Sequence, residues 1–546
     1  MYIIEALSKK ETYPFLKTEV MIKQTHASFI FITKPFVYKV KKPVNYGFLD
    51  YSTLDKRFFY LSEELRLNKR FCPELYINVV LLHYDHNSHK LEFLDVYSKE
   101  EIENLDNLQP MHKFHELKNK FQNQKIEFAL KMYYVEEKDF LRNQVIHYQK
   151  LNKITERLIE IYQTLPRAPK NPQKEIIFQN LDDCSSFVNY TITPIAFRII
   201  KRFNLLYFRK FYSLLRKREL DGWVKECHGD LHIEHIIIQN GKVCIFDCIE
   251  FNPDFRYIDI ASDIAFFCMD LEFLGYYRES YYFIKNIYKF FHNYEIILLQ
   301  DLYRCYRAFV RGKVYTLKSL HKDINQTEKE EAISLAKKYF QLSLSYALKN
   351  IHPTVFVFMG RIGSGKSTLA RKLAELLGTR VFSSDEIRKE LFYLDKFKRT
   401  PEEEKQKLYN RLITQVVYNK MIRDGIDQAL KKGVSVLDAT FATRKLRNMV
   451  LFATFEENVQ CWFIEVDTKK EIIIERLKKR ENSENEISDA GVKEFLDFYD
   501  LYEPPYEIPQ KQKITLKLRK ERSIDNVFSF LLKKILIHRF QYREPY

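Results

Sequence analysis

Residues 355–368 read VFVFMGRIGSGKST, and this stretch decides the fold of the C-terminal part of the chain. Its first four residues form an uninterrupted apolar run, which is typical of a buried parallel strand. The segment that follows matches the pattern G-x-x-x-x-G-K-[ST], and residues 369–377 continue with helical spacing up to Gly378, which is placed to end the helix. The order of strand, glycine-rich loop and helix predicts a P-loop in a doubly wound parallel sheet.

The glycine-rich loop predicts a site for a polyphosphate. Its glycines allow the backbone N–H groups to point inward, where they and the helix N-terminus bind phosphate oxygens. Lys366 is expected to reach the β- and γ-phosphates of ATP, and the Ser367 hydroxyl to hold Mg²⁺. A turn without a ligand is the alternative, which the combination of strand, helix, Lys and Ser argues against. The predicted nucleotide-binding residues of the loop are Gly360, Arg361, Ile362, Gly363, Ser364, Gly365, Lys366, Ser367 and Thr368.

Length and composition describe a protein of several domains. A chain of 546 residues is too long for one hydrophobic core, and 46% hydrophobic with 30% charged residues is typical of a globular protein in water. The N-terminus has no signal-peptide layout, and no apolar run is long enough to span a bilayer, so we expect a cytoplasmic protein without a membrane partner. The 8 cysteines are scattered without a C-x-x-C pair, which predicts neither a disulfide framework nor a structural zinc site.

The formal net charge of +16 favours an anionic partner, such as a nucleotide, a phosphorylated substrate or a nucleic acid. A compositional explanation competes with this one. Lys, Asn, Ile, Tyr and Phe are abundant while there are only 13 Gly, as an AT-rich coding sequence would produce. Because the basic residues are spread along the chain and form no single block, the charge does not decide between the two.

Two segments of the N-terminal part have the layout of a kinase. VYKVKKP places Lys39 on a strand, and the amphipathic helical pattern of residues 51–70 contains Glu64. A Lys on a strand and a Glu on the next helix form the pair that positions ATP phosphates in a kinase N-terminal lobe. Further on, HGDLHIEH at residues 228–235 is followed by a strand, a glycine turn, a second strand and Asp247.

This second segment resembles the aminoglycoside phosphotransferase and choline kinase group, which is similar to protein kinases. The resemblance implies that Asp230 is the catalytic base, that Asp247 binds Mg²⁺ and that His228 braces the loop. It places His235 where the group has an Asn that binds the second Mg²⁺, although imidazole is a poor ligand for this ion. A bracing role is also implied for the residues that follow, Asp254, Arg256, Asp259 and Asp263.

A second departure from this group is the missing glycine-rich phosphate loop, since the candidate turn at residues 25–29 reads THASF. Whether the kinase-like domain transfers phosphate or only binds ATP therefore stays open.

Beyond the P-loop, resemblance to nucleoside and polynucleotide kinases assigns further residues. Asp385 would bind the acceptor hydroxyl and Arg388, on the same face of a helix, a neighbouring phosphate; a helix cap with acidic first-turn residues is the alternative. Asp438 ends a buried strand, where it can orient Mg²⁺ or contact the acceptor. Arg476 and Arg480 precede the polar segment ENSENEISDA, the place of a lid that closes on the transferring phosphate; a solvated basic helix is the alternative.

Over nearly its whole length the chain is similar to bacterial two-domain proteins in which an aminoglycoside phosphotransferase-like domain is fused to a P-loop kinase. These are often called AAA-family ATPases, but no AAA-type arginine finger or sensor is evident, so kinase is the better description. The fold class is α/β and α+β, with a bilobal kinase-like domain at residues 1–350 and a P-loop NTPase domain at residues 351–546. The motifs are YKVKKPVNYGFLD, EELRLNKR, EFALKM, CHGDLH, FDCIEFNP and GRIGSGKST.

The predicted function is ATP-dependent phosphotransfer with Mg²⁺. The P-loop domain is expected to move the γ-phosphate to a hydroxyl of a small molecule, which is favoured over a nucleic-acid end because no aromatic and basic recognition module is visible. The alternatives are a nucleotide-gated regulator with an inactive kinase-like domain, and an RNA or DNA end kinase. The sequence predicts no oligomeric state.

Overall fold

The computed structural model describes residues 2–47, 49–85, 90–122, 124–321, 324–395, 400, 405, 407–481 and 491–541. Contacts divide the chain into two compact units. Unit 1 comprises Met1–Ile176, Ser213–Asp270 and Tyr282–Asn293, and unit 2 comprises Ile177–Tyr212, Leu271–Tyr281 and Tyr294–Tyr546. Among the described helices, none is both long and apolar enough to cross a membrane.

Unit 1 contains a six-stranded antiparallel sheet in the order β1-β2-β3-β6-β4-β5. Its strands are β1 (Met21–Gln24), β2 (Ser28–Thr33), β3 (Phe36–Lys41), β4 (Tyr76–Asp85), β5 (Lys90–Asp95) and β6 (Ile126–Tyr133). Lys34 and Pro35 form the turn that joins β2 and β3.

Helices flank this sheet. They are α1 (Tyr2–Leu7), α2 (Leu54–Phe71), α3 (Lys99–Glu103) and α4 (Pro110–Lys120). The amphipathic pattern predicted for residues 51–70 is confirmed as α2, whose Phe58, Leu61 and Leu65 pack in one cluster with Phe128 and Leu130 of β6. This packing of α2 against the sheet is what brings its Glu64 toward β3.

The remainder of unit 1 is built from short ribbons and helices. The antiparallel ribbons are β7 (Val224–Glu226) with β10 (Tyr257–Asp259), and β8 (Ile236–Gln239) with β9 (Lys242–Ile245). Its helix α5 (Tyr148–Thr164) lies wholly in unit 1. The helices α6 (Gln173–Asp183), α8 (Tyr212–Leu220), α9 (Ile260–Phe273) and α10 (Tyr277–Phe291) have residues in both units, and α7 (Pro194–Lys210) belongs to unit 2.

One disulfide corrects the expectation that the cysteines form no such bond. Cys72, directly after α2, is bonded to Cys244 of β9, with their Cα atoms 4.8 Å apart. The other six cysteines are buried thiols. Because 172 residues separate the bonded pair along the chain, their spacing carried no signal of the contact.

Unit 2 contains the predicted parallel sheet, with five strands in the order β12-β13-β11-β14-β15 and every neighbour parallel. The strands are β11 (Thr354–Met359), β12 (Val381–Ser383), β13 (Val434–Asp438), β14 (Gln460–Thr468) and β15 (Lys513–Leu518). All residues of the central strand β11 are buried, as its continuous apolar run predicts.

The helices of unit 2 include long segments on either side of residue 350. They are α11 (Glu295–Leu298), α12 (Gln300–Ser319), α13 (Gln326–Leu348), α14 (Lys366–Leu377), α15 (Ser384–Leu391), α16 (Arg411–Lys432), α17 (Arg444–Glu456), α18 (Lys470–Glu481), α19 (Val492–Asp497) and α20 (Ile524–Gln541). Gly378, in the left-handed conformation at φ 63°, ends α14 as predicted.

A buried arginine joins the last helix to helices that precede residue 350. Arg539 of α20 donates a hydrogen bond to the Asp301 carboxylate of α12 at 2.6 Å and another to the Ala347 carbonyl of α13 at 2.7 Å. Contacts of this kind group α12 and α13 with the parallel sheet in one compact unit. The predicted domain boundary between residues 350 and 351 rests on sequence resemblance, whereas the two units are defined by packing. The boundary therefore stays a prediction.

Replacing Arg539 with alanine should strongly destabilise unit 2. The Asp301 side chain is 1% exposed, and a buried carboxylate that loses its partner costs about 3–5 kcal/mol. We expect a lower midpoint of thermal unfolding for Arg539→Ala, measured by circular dichroism. The control is Arg522→Ala, because Arg522 is exposed; equal midpoints for the two variants would contradict a stabilising role of the buried pair.

Candidate nucleotide and metal sites

The P-loop of unit 2 joins the end of β11 to the start of α14. Gly360 has φ 141°, and a Cβ atom there would lie 2.6 Å from the backbone oxygen of Val466, so only glycine fits. Gly365, at φ 94°, directly precedes α14, which makes Lys366 the first residue of the helix. The loop therefore has the strand-to-helix geometry that points backbone donors and the helix N-terminus at a bound phosphate.

A buried carboxylate lies beside the P-loop. Asp438 ends β13, which pairs with β11, and its carboxylate lies near the Ser367 side chain. It is 4% exposed, and its Oδ1 atom has no hydrogen-bond partner among the described residues. Burial raises the pKa of Asp438, while Lys366 acts to lower it.

The residues at this place fit Mg²⁺. Ser367 and Asp438 offer the oxygen ligands that this ion prefers, and a buried carboxylate oxygen without a partner is costly unless a ligand satisfies it. When bound there, Mg²⁺ would neutralise phosphate charge.

Arg476, predicted to close on the phosphates, contacts the P-loop directly. From α18, its Nη1 donates to the Ser364 carbonyl at 3.0 Å, while Nη2 lies 3.0 Å from both carboxylate oxygens of Glu521. Arg480 lies about one turn further along α18. The remainder of the predicted lid, residues 482–490, lies outside the described residues. Nucleotide contacts of Arg476 and Arg480 stay predictions.

The predicted acceptor residues lie on α15, which follows β12. Burial is the main cause that raises the pKa of Asp438, and the charge of Asp385 acts in the same direction. The Arg388 guanidinium is buried, donates to the Leu408 carbonyl at 2.5 Å and stacks 4.4 Å from the ring centre of Tyr409. These partners of Arg388 were not foreseen, and its contact with a substrate phosphate stays a prediction.

In unit 1, the ion pair predicted between β3 and α2 is present. Lys39 Nζ lies 2.6 Å from Glu64 Oε1 and 3.0 Å from Asp247 Oδ1. The Glu64 side chain has no exposed surface. The pair therefore holds the Lys39 ammonium next to Asp247, where it can meet phosphate oxygens.

A second lysine extends this network, and sequence reasoning assigned it no role. Lys41 Nζ lies 2.8 Å from Glu64 Oε2 and 2.5 Å from Glu250 Oε1. The Tyr51 hydroxyl donates to the same Glu250 oxygen at 2.5 Å. The available signal was the alternation of β3, which puts Lys39 and Lys41 on one face of the strand.

The loop that carries Asp230 is braced from two sides. His228 donates from Nε2 to the Phe246 carbonyl at 2.8 Å and accepts the Asp230 N–H at Nδ1, 3.3 Å away. Asp263 accepts the N–H groups of His228 at 3.1 Å and Gly229 at 3.0 Å. These contacts agree with the bracing that the resemblance implied for His228 and Asp263.

The other residues with an implied bracing role, Asp254, Arg256 and Asp259, each contact a different set of residues. Arg256 bonds to Glu226 at 3.1 Å and to the carbonyls of Ile249 and Glu250 at 3.3 Å. Asp259 accepts two hydrogen bonds from buried Arg218, at 2.6 and 2.7 Å. Asp254 pairs with Lys170 at 2.6 Å.

Asp247 and His235 face each other at the centre of this site. Asp247 has a left-handed backbone, at φ 63°, and its N–H donates to the Tyr76 hydroxyl oxygen at 3.2 Å. Burial opposes its charge, but Lys39 and His235 hold the pKa of Asp247 well below its usual range. Burial and the neighbouring His232 lower the pKa of His235 to about 4.

The oxygen donors of Asp247 fit Mg²⁺, whereas the imidazole of His235 does not fit a second Mg²⁺, which prefers oxygen. Position 235 therefore lacks a fitting ligand for the second Mg²⁺ that the resemblance implies.

Comparisons with known proteins found similarity to the P-loop segment and to most of the chain. A family model described as an AAA domain matches residues 355–505. An uncharacterized protein of Mycobacterium tuberculosis is 26% identical over 439 residues, 78% of this chain and 79% of that protein. Human 6-phosphofructo-2-kinase/fructose-2,6-bisphosphatase 3 is 26% identical over 201 residues, 34% of this chain and 38% of that protein.

Among solved structures, Plasmodium vivax ethanolamine kinase covers 63% of this chain and 85% of its own, with a TM-score of 0.35 and 12% identity. A choline/ethanolamine kinase family protein from Mesorhizobium loti covers 64% and 99%, with a TM-score of 0.33 and 11% identity. The segment that the family model matches contains the P-loop of unit 2.

Asp438→Asn should weaken Mg²⁺-dependent ATP binding, because it removes the buried charge beside Ser367. A loss of about 10-fold or more in affinity is expected from the size of effects seen on disturbing metal-site groups. Isothermal titration calorimetry with ATP, carried out once in the presence of Mg²⁺ and once in the presence of a chelator, measures this affinity. Asp427→Asn is the matched control, since Asp427 is exposed on α16; an unchanged Mg²⁺ dependence in Asp438→Asn would remove Asp438 from the site.

Proposed function

We propose that the protein is an ATP-dependent phosphotransferase whose P-loop domain moves the γ-phosphate of ATP to a hydroxyl of a small molecule. The observation that carries this proposal is the P-loop cradle with Lys366 at the start of α14 and the Ser367–Asp438 pair beside it. Phosphoryl transfer depends mainly on positioning and charge stabilisation, which these groups can supply.

Each group of the site has a role in this proposal. Backbone donors and Lys366 bind the β- and γ-phosphates, and Ser367 with Asp438 holds Mg²⁺. Asp385, near Asp438, orients the acceptor hydroxyl and receives its proton. Arg476, already on the loop at Ser364, adds positive charge where charge develops on the transferring group.

The kinase-like unit is a second ATP-binding module in this proposal. Lys39, paired with Glu64, binds phosphates, Asp247 binds Mg²⁺ and Asp230 is the catalytic base. The substitution of the expected Asn by His235 favours a competing function for this unit, in which it binds nucleotide without chemistry and the protein is a nucleotide-gated regulator. An acceptor at an RNA or DNA end is the third candidate, motivated by the net charge of +16.

The basal ATPase activity should come mostly from the P-loop domain. Lys366→Ala removes a fixed positive charge aimed at the phosphates, and we expect a loss of about 100-fold, the size typical of one electrostatic contact in a transition state. Asp247→Ala should reduce total turnover far less. Phosphate release by each purified variant measures this ranking.

Lys372→Ala is the control for Lys366→Ala, because Lys372 lies on the same helix and pairs with Asp525 on the surface. If Asp247→Ala is the more damaging variant, the kinase-like unit is the main enzyme and the assignment of the P-loop as the principal site is wrong.

A screen with labelled ATP should identify a small-molecule acceptor. Amino sugars, cholines, nucleosides, other metabolites and oligonucleotides are offered to the full-length protein with Mg²⁺ or Mn²⁺. The label transferred to a metabolite should be lost in Lys366→Ala and in Asp385→Asn, because these residues bind phosphate and acceptor respectively.

The screen also separates the competing functions. Transfer that persists in Lys366→Ala but disappears in Asp230→Asn would assign chemistry to unit 1 and exclude an inactive kinase-like domain. Labelled oligonucleotides without labelled metabolites would replace the small-molecule acceptor with a nucleic-acid end, whose binding should then weaken steeply with salt.

A further inference from the structure

The hydrogen bonds of His235 define which of its ring nitrogens carries a proton. Its Nδ1 atom lies 3.0 Å from the Asp230 carbonyl oxygen, which can only accept. Nδ1 is therefore the donor, and in the neutral ring the lone pair is on Nε2. A histidine whose Nδ1–H is held by a carbonyl has the arrangement that commonly orients a metal-bound imidazole.

That lone pair faces a carboxylate. His235 Nε2 lies 3.6 Å from Asp247 Oδ2, while the other oxygen of Asp247 is 3.0 Å from Lys39. At this distance there is no hydrogen bond, and two electron-rich atoms facing each other are unfavourable without a cation between them. An ion about 2.1 Å from each atom fits this gap, with an angle of roughly 120° at the metal.

We propose that His235 Nε2 and Asp247 Oδ2 form a mixed nitrogen and oxygen site for a borderline divalent cation, such as Mn²⁺, Co²⁺ or Zn²⁺. Imidazole suits these ions, carboxylate suits Mn²⁺, and the hard Mg²⁺ prefers oxygen throughout. The remaining coordination positions are open to water or phosphate oxygens. The site thus replaces the second Mg²⁺ that the resemblance implies with a cation of another class.

His232 lies close to Asp230 and His235 but is not a ligand of the proposed site. Asp230, His232 and His235 bring potential ligand atoms within 4.8 Å of one another. His232 Nδ1 accepts the Glu234 N–H at 3.3 Å, so in the neutral ring Nε2 bears the proton, and it lies 3.4 Å from Asp230 Oδ2. His232 is therefore a positioning residue for Asp230, which makes it a matched control for His235.

Pulsed electron paramagnetic resonance of Mn²⁺ tests the site directly. Mn²⁺ alone is added to the nucleotide-free, full-length protein, and coupling to ¹⁴N reports an imidazole ligand. The P-loop set of Ser367 and Asp438 contains only oxygen, so Mn²⁺ bound there gives no such coupling. We expect ¹⁴N coupling in the wild type and in His232→Asn, and its loss in His235→Asn.

Equilibrium dialysis supplies a second readout that involves no ATP. His235→Asn should bind Co²⁺ at least about 10-fold more weakly while its Mg²⁺ binding is kept or improved, because oxygen replaces nitrogen. Asp247→Asn should weaken Mn²⁺ binding. His235→Gln, which also offers an oxygen, serves if His235→Asn does not fold as judged by circular dichroism.

Three results would overturn the site. They are no binding of Mn²⁺ or Co²⁺ that depends on His235, bound Mn²⁺ without ¹⁴N coupling in the wild type, and coupling that is lost in His232→Asn instead of His235→Asn. The second result would mean that the bound Mn²⁺ has only oxygen ligands, such as those of Ser367 and Asp438. Because none of these measurements depends on phosphate transfer, the metal site is tested separately from the proposed function.

Discussion

The Glu64 carboxylate of unit 1 has no exposed surface and accepts from two lysines, Lys39 at 2.6 Å and Lys41 at 2.8 Å. A carboxylate without access to water is tolerated in its charged form only when it is paired and hydrogen-bonded. Because β3 supplies both lysines and α2 the glutamate, this pairing sets how α2 lies on the sheet. The same contacts hold Lys39 toward Asp247 and Lys41 toward Glu250, so one requirement of folding also positions the groups of the site.

Asp438 of unit 2 differs from Glu64 in that its hydrogen bonds are incomplete. It is also buried, but one of its oxygens lacks a hydrogen-bond partner among the described residues, and burial raises its pKa. A buried acceptor of this kind destabilises the fold unless a ligand satisfies it, and such exceptions are common at functional sites. The adjacent loop passes close to β14, where a side chain at Gly360 would meet the Val466 carbonyl. The P-loop site thus pairs a loop that requires glycine at position 360 with a buried carboxylate that has one oxygen to offer a ligand.

Local patterns predicted the parts of both sites that depend on short stretches of chain. The P-loop, the end of α14 at Gly378 and the strand end at Asp438 follow from strand and helix periodicity with glycine positions. The Lys39–Glu64 pair is 25 residues apart and follows the kinase pattern. The Cys72–Cys244 bond spans 172 residues and the Arg539–Asp301 pair 238, and no periodicity encodes such contacts. The burial of Arg388 against Leu408 was not predicted for the same reason, because it depends on how a later segment of the chain packs.

The two phosphate-binding candidates of this chain differ in the atoms that face a cation. In unit 2 the donors are a hydroxyl and a carboxylate, whereas in unit 1 an imidazole nitrogen stands opposite a carboxylate. Selectivity between Mg²⁺ and borderline ions follows mainly from ligand type and geometry, so one solution containing both classes of ion would load the two sites differently. An Asn at position 235 would have made the donor sets alike. A single change from amide to imidazole, held in its tautomer by the Asp230 carbonyl, is sufficient to separate them.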